Sequence, residues 1–137
     1  MKSDSKQTLR ITLYRVLSSI KYSEMPSSEQ TQKAITELGF SQCTEVQARA
    51  IPHILNGRDV LGSAKTGSGK TLAYMVPAVE LLRRANFTPK NGTGVLIIAP
   101  TRELAMHNYK WARDCLQYHN KTHGVVIGGA KRSSEAH

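Results

Sequence analysis

The chain has 137 residues, 39% of them hydrophobic and 21% charged, and 19 Lys and Arg against 10 Asp and Glu give a formal net charge of +9. That length suits one domain with room for a core, and that balance excludes a low-complexity disordered chain, a collagen-like repeat and a coiled coil. The longest apolar-rich stretch, Thr71 to Leu82, is broken by Pro77 and Glu80 and is too short for a bilayer, so no membrane partner is expected.

Near the N-terminus Leu9, Leu13, Val16, Leu17 and Ile20 fit one face of a helix, while Leu9-x-Ile11-x-Leu13 also fits a short strand. Ser27 or Ser28 is placed to cap a helix carrying Ala34, Ile35 and Leu38, with Gly39 to end it. Thr44 opens a second helix through Val46, Ala48, Ile51 and Ile54-Leu55, closed by Asn56-Gly57, and Pro52 inside it predicts a bend. A short apolar segment, Asp59 to Ser63, leads into a Gly-rich turn and a long helical run from Gly69 to about Ala85, with a kink expected at Pro77. Asn91 to Gly94 reads as a turn, and Val95 to Ala99 as a strand buried on both faces. Thr101 caps a further helix through Leu104, Ala105, Tyr109, Ala112 and Leu116; Gly124 to Ile127 reads as a last strand that Gly128-Gly129 ends. Strands alternating with helices predict an α/β fold built from parallel β-α-β units.

Charge gives a first functional hint. Lys2, Lys6, Arg10, Arg15 and Lys21 face only Asp4 in the first 21 residues, and Lys121, Lys131 and Arg132 lie near the C-terminus. Such a basic chain suits a polyanion such as nucleic acid, although solubility alone also explains the charge. No secretory signal is read at the N-terminus. Cys43 and Cys115 are too few for a disulfide framework and lack metal-site spacing, which predicts reduced thiols in the cytosol or nucleus.

The strongest local feature is Ala64-Lys65-Thr66-Gly67-Ser68-Gly69-Lys70-Thr71, between an expected strand and an expected helix. Gly67 and Gly69 let successive backbone N–H groups turn toward a phosphate, and the helix N-terminus adds its positive end. Lys70 can bridge the outer phosphates of ATP, and the Thr71 hydroxyl can ligate magnesium. Ala64 stands where the generic motif has Gly, and the bland alternative is an ordinary Gly-rich loop.

With Ala64 in that place, the loop resembles the Walker A motif of DEAD-box RNA helicases. Gly39-Phe40, Thr44 and Gln47 resemble the family's Gln motif, with Cys43 replacing the usual Pro. Pro100-Thr101-Arg102-Glu103-Leu104-Ala105 matches its first RNA-contacting motif, and Gly128-Gly129 its following glycine pair. The resemblance covers residues 22–137 and implies a partial RecA-like P-loop domain, residues 1–21 being a basic extension without an assigned role. Pro89 to Leu96 and Gly128 to Arg132 look most like the nucleolar subfamily acting in large-subunit ribosome assembly. That implies a nuclear, nucleolar location, with the cytoplasm as alternative, a pre-ribosomal particle as partner, and a monomer.

Gln47 has two readings. Thr44-x-x-Gln47 is a capping box, in which each side chain bonds the other's backbone N–H. The resemblance implies instead that the amide pairs with adenine, offering a donor and an acceptor. It also places Tyr22 where the family stacks an aromatic ring on adenine; a surface or core Tyr is the alternative. Pro100, Thr101, Arg102, Gly128 and Gly129 are implied to meet the RNA backbone, a sequence-independent and salt-sensitive contact. Arg102 and Glu103 have internal ion pairing as the simpler reading. His107, His119 and His123 are read as surface or loop residues, Trp111, Tyr109 and Tyr118 as helix packing, and Arg83-Arg84 as a solvated helix end.

The family's Asp-Glu-Ala-Asp, Ser-Ala-Thr and second domain do not follow within the 137 residues. The expectation is therefore the first part of helicase domain 1, carrying the ATP site and part of the RNA surface but no helicase-rate hydrolysis alone. The alternatives are a non-enzymatic fragment that binds RNA or a partner, an incomplete reading frame, or a small P-loop kinase.

Overall fold

The computed structural model describes residues 9–12, 17–63 and 69–128. The phosphate-loop residues Ala64 to Ser68 and the second glycine, Gly129, lie outside them, as do Leu13 and Val16. The fold is α/β: strands β1 (Leu9–Thr12) and β2 (Leu17–Lys21), helix α1 (Glu29–Glu37), strand β3 (Gln42–Thr44), helix α2 (Glu45–Leu55), strand β4 (Val60–Ser63), and helices α3 (Lys70–Arg84) and α4 (Arg102–Cys115).

The helices start and stop where local chemistry dictates. The Ser28 side chain accepts from Thr31 N–H and caps α1, which Gly39 ends at φ +93. Thr44 caps α2 and Thr101 caps α4 in the same way. Neither Pro52 in α2 nor Pro77 in α3 ends its helix.

The N-terminal apolar residues resolve as strands, not as a helix face. β1 pairs in parallel with β4, Leu9 opposite Val60 through Thr12 opposite Ser63. β2 pairs antiparallel with β3, Leu17 opposite Thr44 and Lys21 opposite Gln42, with an irregularity between. The second pairing positions the site, because β2 runs directly into the 3-10 turn Tyr22–Glu24 and β3 directly into α2. Tyr22 N–H donates to the Ser41 carbonyl at 3.0 Å, which seats Tyr22 beside the start of α2.

Two expected strands do not form. Val95 to Ala99 is not strand, and Leu96 and Ile98 are 77% and 84% exposed, against the expectation of burial on both faces. Gly124 to Ile127 is likewise not strand, and Val126 is exposed. A strand exists only where neighbours take up its N–H and C=O groups, and the two described ladders are β1–β4 and β2–β3. Both segments instead lie over α3 and α4, around a cavity of about 630 Å3 lined by Met75, Val79, Leu82, Ile97, Ala112 and Leu116 among others. The parallel β-α-β expectation therefore holds for one strand pair, while the other pair is antiparallel.

The core joins Tyr22, Met25, Ile35, Cys43, Ile51, Leu55, Leu72, Met75, Val76, Val79, Cys115 and Leu116. Residues such as Ile35 and Ile51, fully enclosed, each contribute roughly 1.5–3 kcal/mol by removing apolar surface from water. Both thiols are free and buried. Burial, with Glu24 nearby, pushes the Cys43 thiol up to about 11, and burial, with Asp114, pushes Cys115 up to about 12, so both stay protonated and unreactive.

Candidate nucleotide site and nucleic-acid interface

Three elements meet at the start of α3. Gly69 caps that helix at φ +84 and offers no side-chain acceptor, unlike the capped α1, α2 and α4. An L side chain at this φ is strained, and a Cβ would stand 2.5 Å from Gln47 Nε2 and 2.9 Å from Thr44 Cγ2. The motif's glycine is thus required twice, by backbone conformation and by the closeness of α2. Lys70 follows, exposed, and Thr71 is half-buried in the first turn.

Gln47 makes both bonds of the capping box: its N–H donates to Thr44 Oγ1 at 3.3 Å, and its Oε1 accepts from Thr44 N–H at 3.0 Å. Its remaining amide end reaches out of α2, Nε2 donating to the Gly69 carbonyl at 3.0 Å. The cap and a link to the phosphate-loop helix therefore coexist in one side chain. Tyr22 joins them by donating its hydroxyl to Gln47 Oε1.

Burial, then Cys43 and Cys115, raise the Tyr22 phenol above its ordinary value, so it remains an O–H donor. Tyr22 is 4% exposed and belongs to the core with Met25, Ile35 and Cys43. Stacking on a base asks for an open ring face, and in this arrangement the ring is enclosed.

The second group of residues lies at the start of α4. Thr101 Oγ1 accepts from Leu104 N–H at 3.1 Å, and the Arg102 guanidinium donates to the Gly128 carbonyl. Two segments singled out for RNA are thereby brought together, with Pro100, Thr101, Arg102 and Gly128 all exposed. Arg102 is engaged with a carbonyl, not in the ion pair expected by default. The helices carrying the two groups are tied side to side, Tyr74 hydroxyl donating to Asn108 Oδ1 at 2.5 Å and Thr71 Oγ1 lying 3.5 Å from His107 Nε2.

His107 is exposed and His119 and His123 lie in turn or loop segments, as expected, although the latter two are half-buried. His119 is half-buried with Nε2 at 2.8 Å from Thr31 Oγ1, and His123 packs edge-on against Tyr109, its centroid 5.4 Å away. No sequence signal marks either, since their partners are distant in the chain. Trp111 packs on the core as expected, 5.9 Å from the Phe40 ring. Arg83 and Arg84 are exposed at the end of α3 as expected. Among the described residues no group of three or more His, Cys, Asp or Glu could hold a metal, and no helix is long and apolar enough to cross a membrane.

This arrangement, an upstream Gln bound to the glycine that opens a Gly-Lys-Thr helix within an α/β fold, is that of a RecA-like P-loop domain. Residues 44–137 match the DEAD/DEAH box helicase family, and the chain belongs to it. The small P-loop kinase reading is thereby set aside. The chain is 57% identical over 115 residues to "ATP-dependent RNA helicase HAS1" of Pyricularia oryzae, covering 84% of this chain and 20% of that protein. It is 54% identical over 117 residues to "Probable ATP-dependent RNA helicase ddx18" of Dictyostelium discoideum, covering 85% and 19%. Among solved structures, a hypothetical ATP-dependent RNA helicase from Sulfolobus tokodaii matches with TM-score 0.68 and 38% identity, over 78% of this chain and 29% of that one. The chain thus spans about a fifth of the length of the curated relatives it matches.

Proposed function

We propose that this chain is the nucleotide-binding part of an ATP-dependent RNA helicase that remodels RNA in ribosome assembly. The observation that carries this is the bond from Gln47 Nε2 to the carbonyl of Gly69, which couples a residue suited to reading a base to the glycine that opens the phosphate helix. The relatives' printed names, each an ATP-dependent RNA helicase, support the helicase part of this reading.

In this reading the backbone N–H groups of Ala64 to Gly69, with Lys65, Thr66 and Ser68 in the loop, cradle the phosphates of ATP. Lys70, exposed at the first helical position, meets the outer phosphates as a point charge. Thr71 presents a hard hydroxyl oxygen in the same turn, the donor type magnesium takes alongside phosphate oxygens, so the residues fit that ion. Bound there, magnesium would neutralise charge on the phosphates. Gln47 reads adenine. Pro100 and Thr101 with Gly128 and Gly129 approach the RNA backbone, giving sequence-independent, salt-sensitive binding, and Arg102 holds the two segments together through the Gly128 carbonyl. Hydrolysis and strand separation belong to the whole protein, which we place in the nucleolus as a monomer on pre-ribosomal particles. Residues 1–21 add positive charge to the chain, with Lys2, Lys6, Arg10, Arg15 and Lys21 against Asp4 alone.

The test is a fluorescent-ATP titration of the 137-residue chain, with Lys70→Ala in parallel and circular dichroism on both. Lys70-dependent binding to a folded chain is the expected result. Equal affinity in a folded Lys70→Ala variant would refute the nucleotide site.

A further inference from the structure

Thr71 and His107 meet across the seam between α3 and α4. Thr71 Oγ1 lies 3.5 Å from His107 Nε2, and among the described residues that ring nitrogen is the hydroxyl's side-chain partner. The His107 ring stands edge-on to Trp111, centroids 6.0 Å apart, and Trp111 packs on the core. His107 itself is exposed. The seam does not depend on it, because the Tyr74 hydroxyl donates to Asn108 Oδ1 at 2.5 Å close by, and Asn108 is buried. As a brace between the helices, the longer and exposed contact at Thr71 is spare.

Its chemistry gives it another use. A threonine hydroxyl has one hydrogen and two lone pairs. When a lone pair goes to a hard cation, the hydrogen still needs an acceptor, and ligation makes it a better donor. A second donor at the same place would take the lone pair that the cation needs, and the neighbouring Lys70 offers donors alone. A neutral imidazole offers one bare ring nitrogen, and Nε2 is the atom of His107 that faces the hydroxyl. The pairing requires Nε2 bare and the ring proton on Nδ1.

We propose that His107 is a positioning residue for the metal–nucleotide complex, its Nε2 accepting the Thr71 O–H so that a hydroxyl lone pair turns toward magnesium. His107 touches neither the ion nor the nucleotide and acts through Thr71. This rests on the phosphate-loop reading of Lys70 and Thr71 given above.

The experiment titrates the chain with fluorescent ATP, once with excess magnesium and once with EDTA, and reads the ratio of the two affinities. His107→Leu removes the acceptor at an exposed site, and His107→Gln puts an amide oxygen near the place of Nε2; circular dichroism checks each fold. The expected result is a ratio lowered about three- to tenfold in His107→Leu, the worth of one hydrogen bond, and recovered in His107→Gln. The affinity in EDTA stays the same. In a Thr71→Val background His107→Leu should lower the ratio no further, because its effect passes through that hydroxyl. Equal losses with and without magnesium, no loss, no recovery in His107→Gln, or a further loss on top of Thr71→Val would overturn the proposal. Lys70→Ala separates the two levels. Unchanged ATP affinity in a folded Lys70→Ala variant sinks the nucleotide site and this inference with it. Lys70-dependent binding whose magnesium ratio ignores His107→Leu sinks the role of His107 alone.

Discussion

The carboxylate of Glu80, on α3, accepts from both the backbone N–H and the hydroxyl of Ser28, the cap of α1, at 2.9 and 2.7 Å. Thr31 adds its own hydroxyl to the same carboxylate, and Arg83 Nε stands 4.0 Å away. Glu80 is 1% exposed. A buried carboxylate is tolerated here because three donors meet it. It anchors α1 to the helix that carries Lys70 and Thr71.

Removing that anchor leaves the Ser28 N–H buried without its partner. Glu80→Ala is expected to destabilise the fold by roughly 2–3 kcal/mol, the scale for hydrogen bonds to a charged group. Glu80→Gln keeps one acceptor for Ser28 N–H, and the two hydroxyls can turn to accept from its NH2, so its loss is smaller. Urea unfolding monitored by circular dichroism measures both. Equal losses in the two variants would show that side-chain shape, not acceptor chemistry, matters there.

His119 closes the same network through Thr31, which donates to Glu80 and so must accept from His119 Nε2–H. Burial lowers the His119 pKa below its ordinary value, partly offset by attraction to Glu80, with Arg83 and Lys121 lowering it further. The folded state therefore holds its proton less tightly than the unfolded chain does. Its contribution to stability is complete above the unfolded value, near 6.5, and declines as pH falls toward the lower folded one. His119→Asn is expected to flatten the stability profile between about pH 5 and 7 relative to the unmodified chain. Unfolding midpoints across that range test the sign; a steeper acid decline in the variant contradicts it.

Gly69→Ala tests the junction of α2 and α3. A Cβ at φ +84 costs about 1–2 kcal/mol by itself, and Gln47 Nε2, 2.5 Å away, must withdraw. The expected outcome is a lowered unfolding midpoint together with at least tenfold weaker ATP binding, about 1.4 kcal/mol. Undiminished affinity would mean that the contact between Gln47 and Gly69 does not matter to the nucleotide.

Arg102→Ala distinguishes support from contact in RNA binding. The guanidinium is engaged with the Gly128 carbonyl, so its loss should loosen the two segments and weaken RNA binding at every salt concentration. The slope of log affinity against log salt should stay unchanged. A slope lower by about one phosphate contact would place Arg102 directly on the RNA.

Much of this was legible in one dimension because it is local. Ser28, Thr44 and Thr101 cap their helices through bonds three residues away, and Gly39 and Gly69 announce left-handed backbone. The Gly-rich loop and Pro100 to Ala105 are each contiguous, and the residues of the Gln motif fall between Gly39 and Gln47, so spacing alone was enough to find all three. The N-terminal apolar pattern fitted two periods, and only pairing with β3 and β4 made it strand. Val95 to Ala99 has strand composition, but composition cannot supply the neighbour that a ladder requires. Tyr22 reaches Gln47 across 25 residues, and Ser28 reaches Glu80 across 52. Side-chain type and spacing therefore place the helix caps, whose partners lie within a turn. Which polar groups become buried, and what Gln47 holds once it is, depends on elements brought together by packing, because a hydrogen bond across the fold exists only after the core has placed both ends.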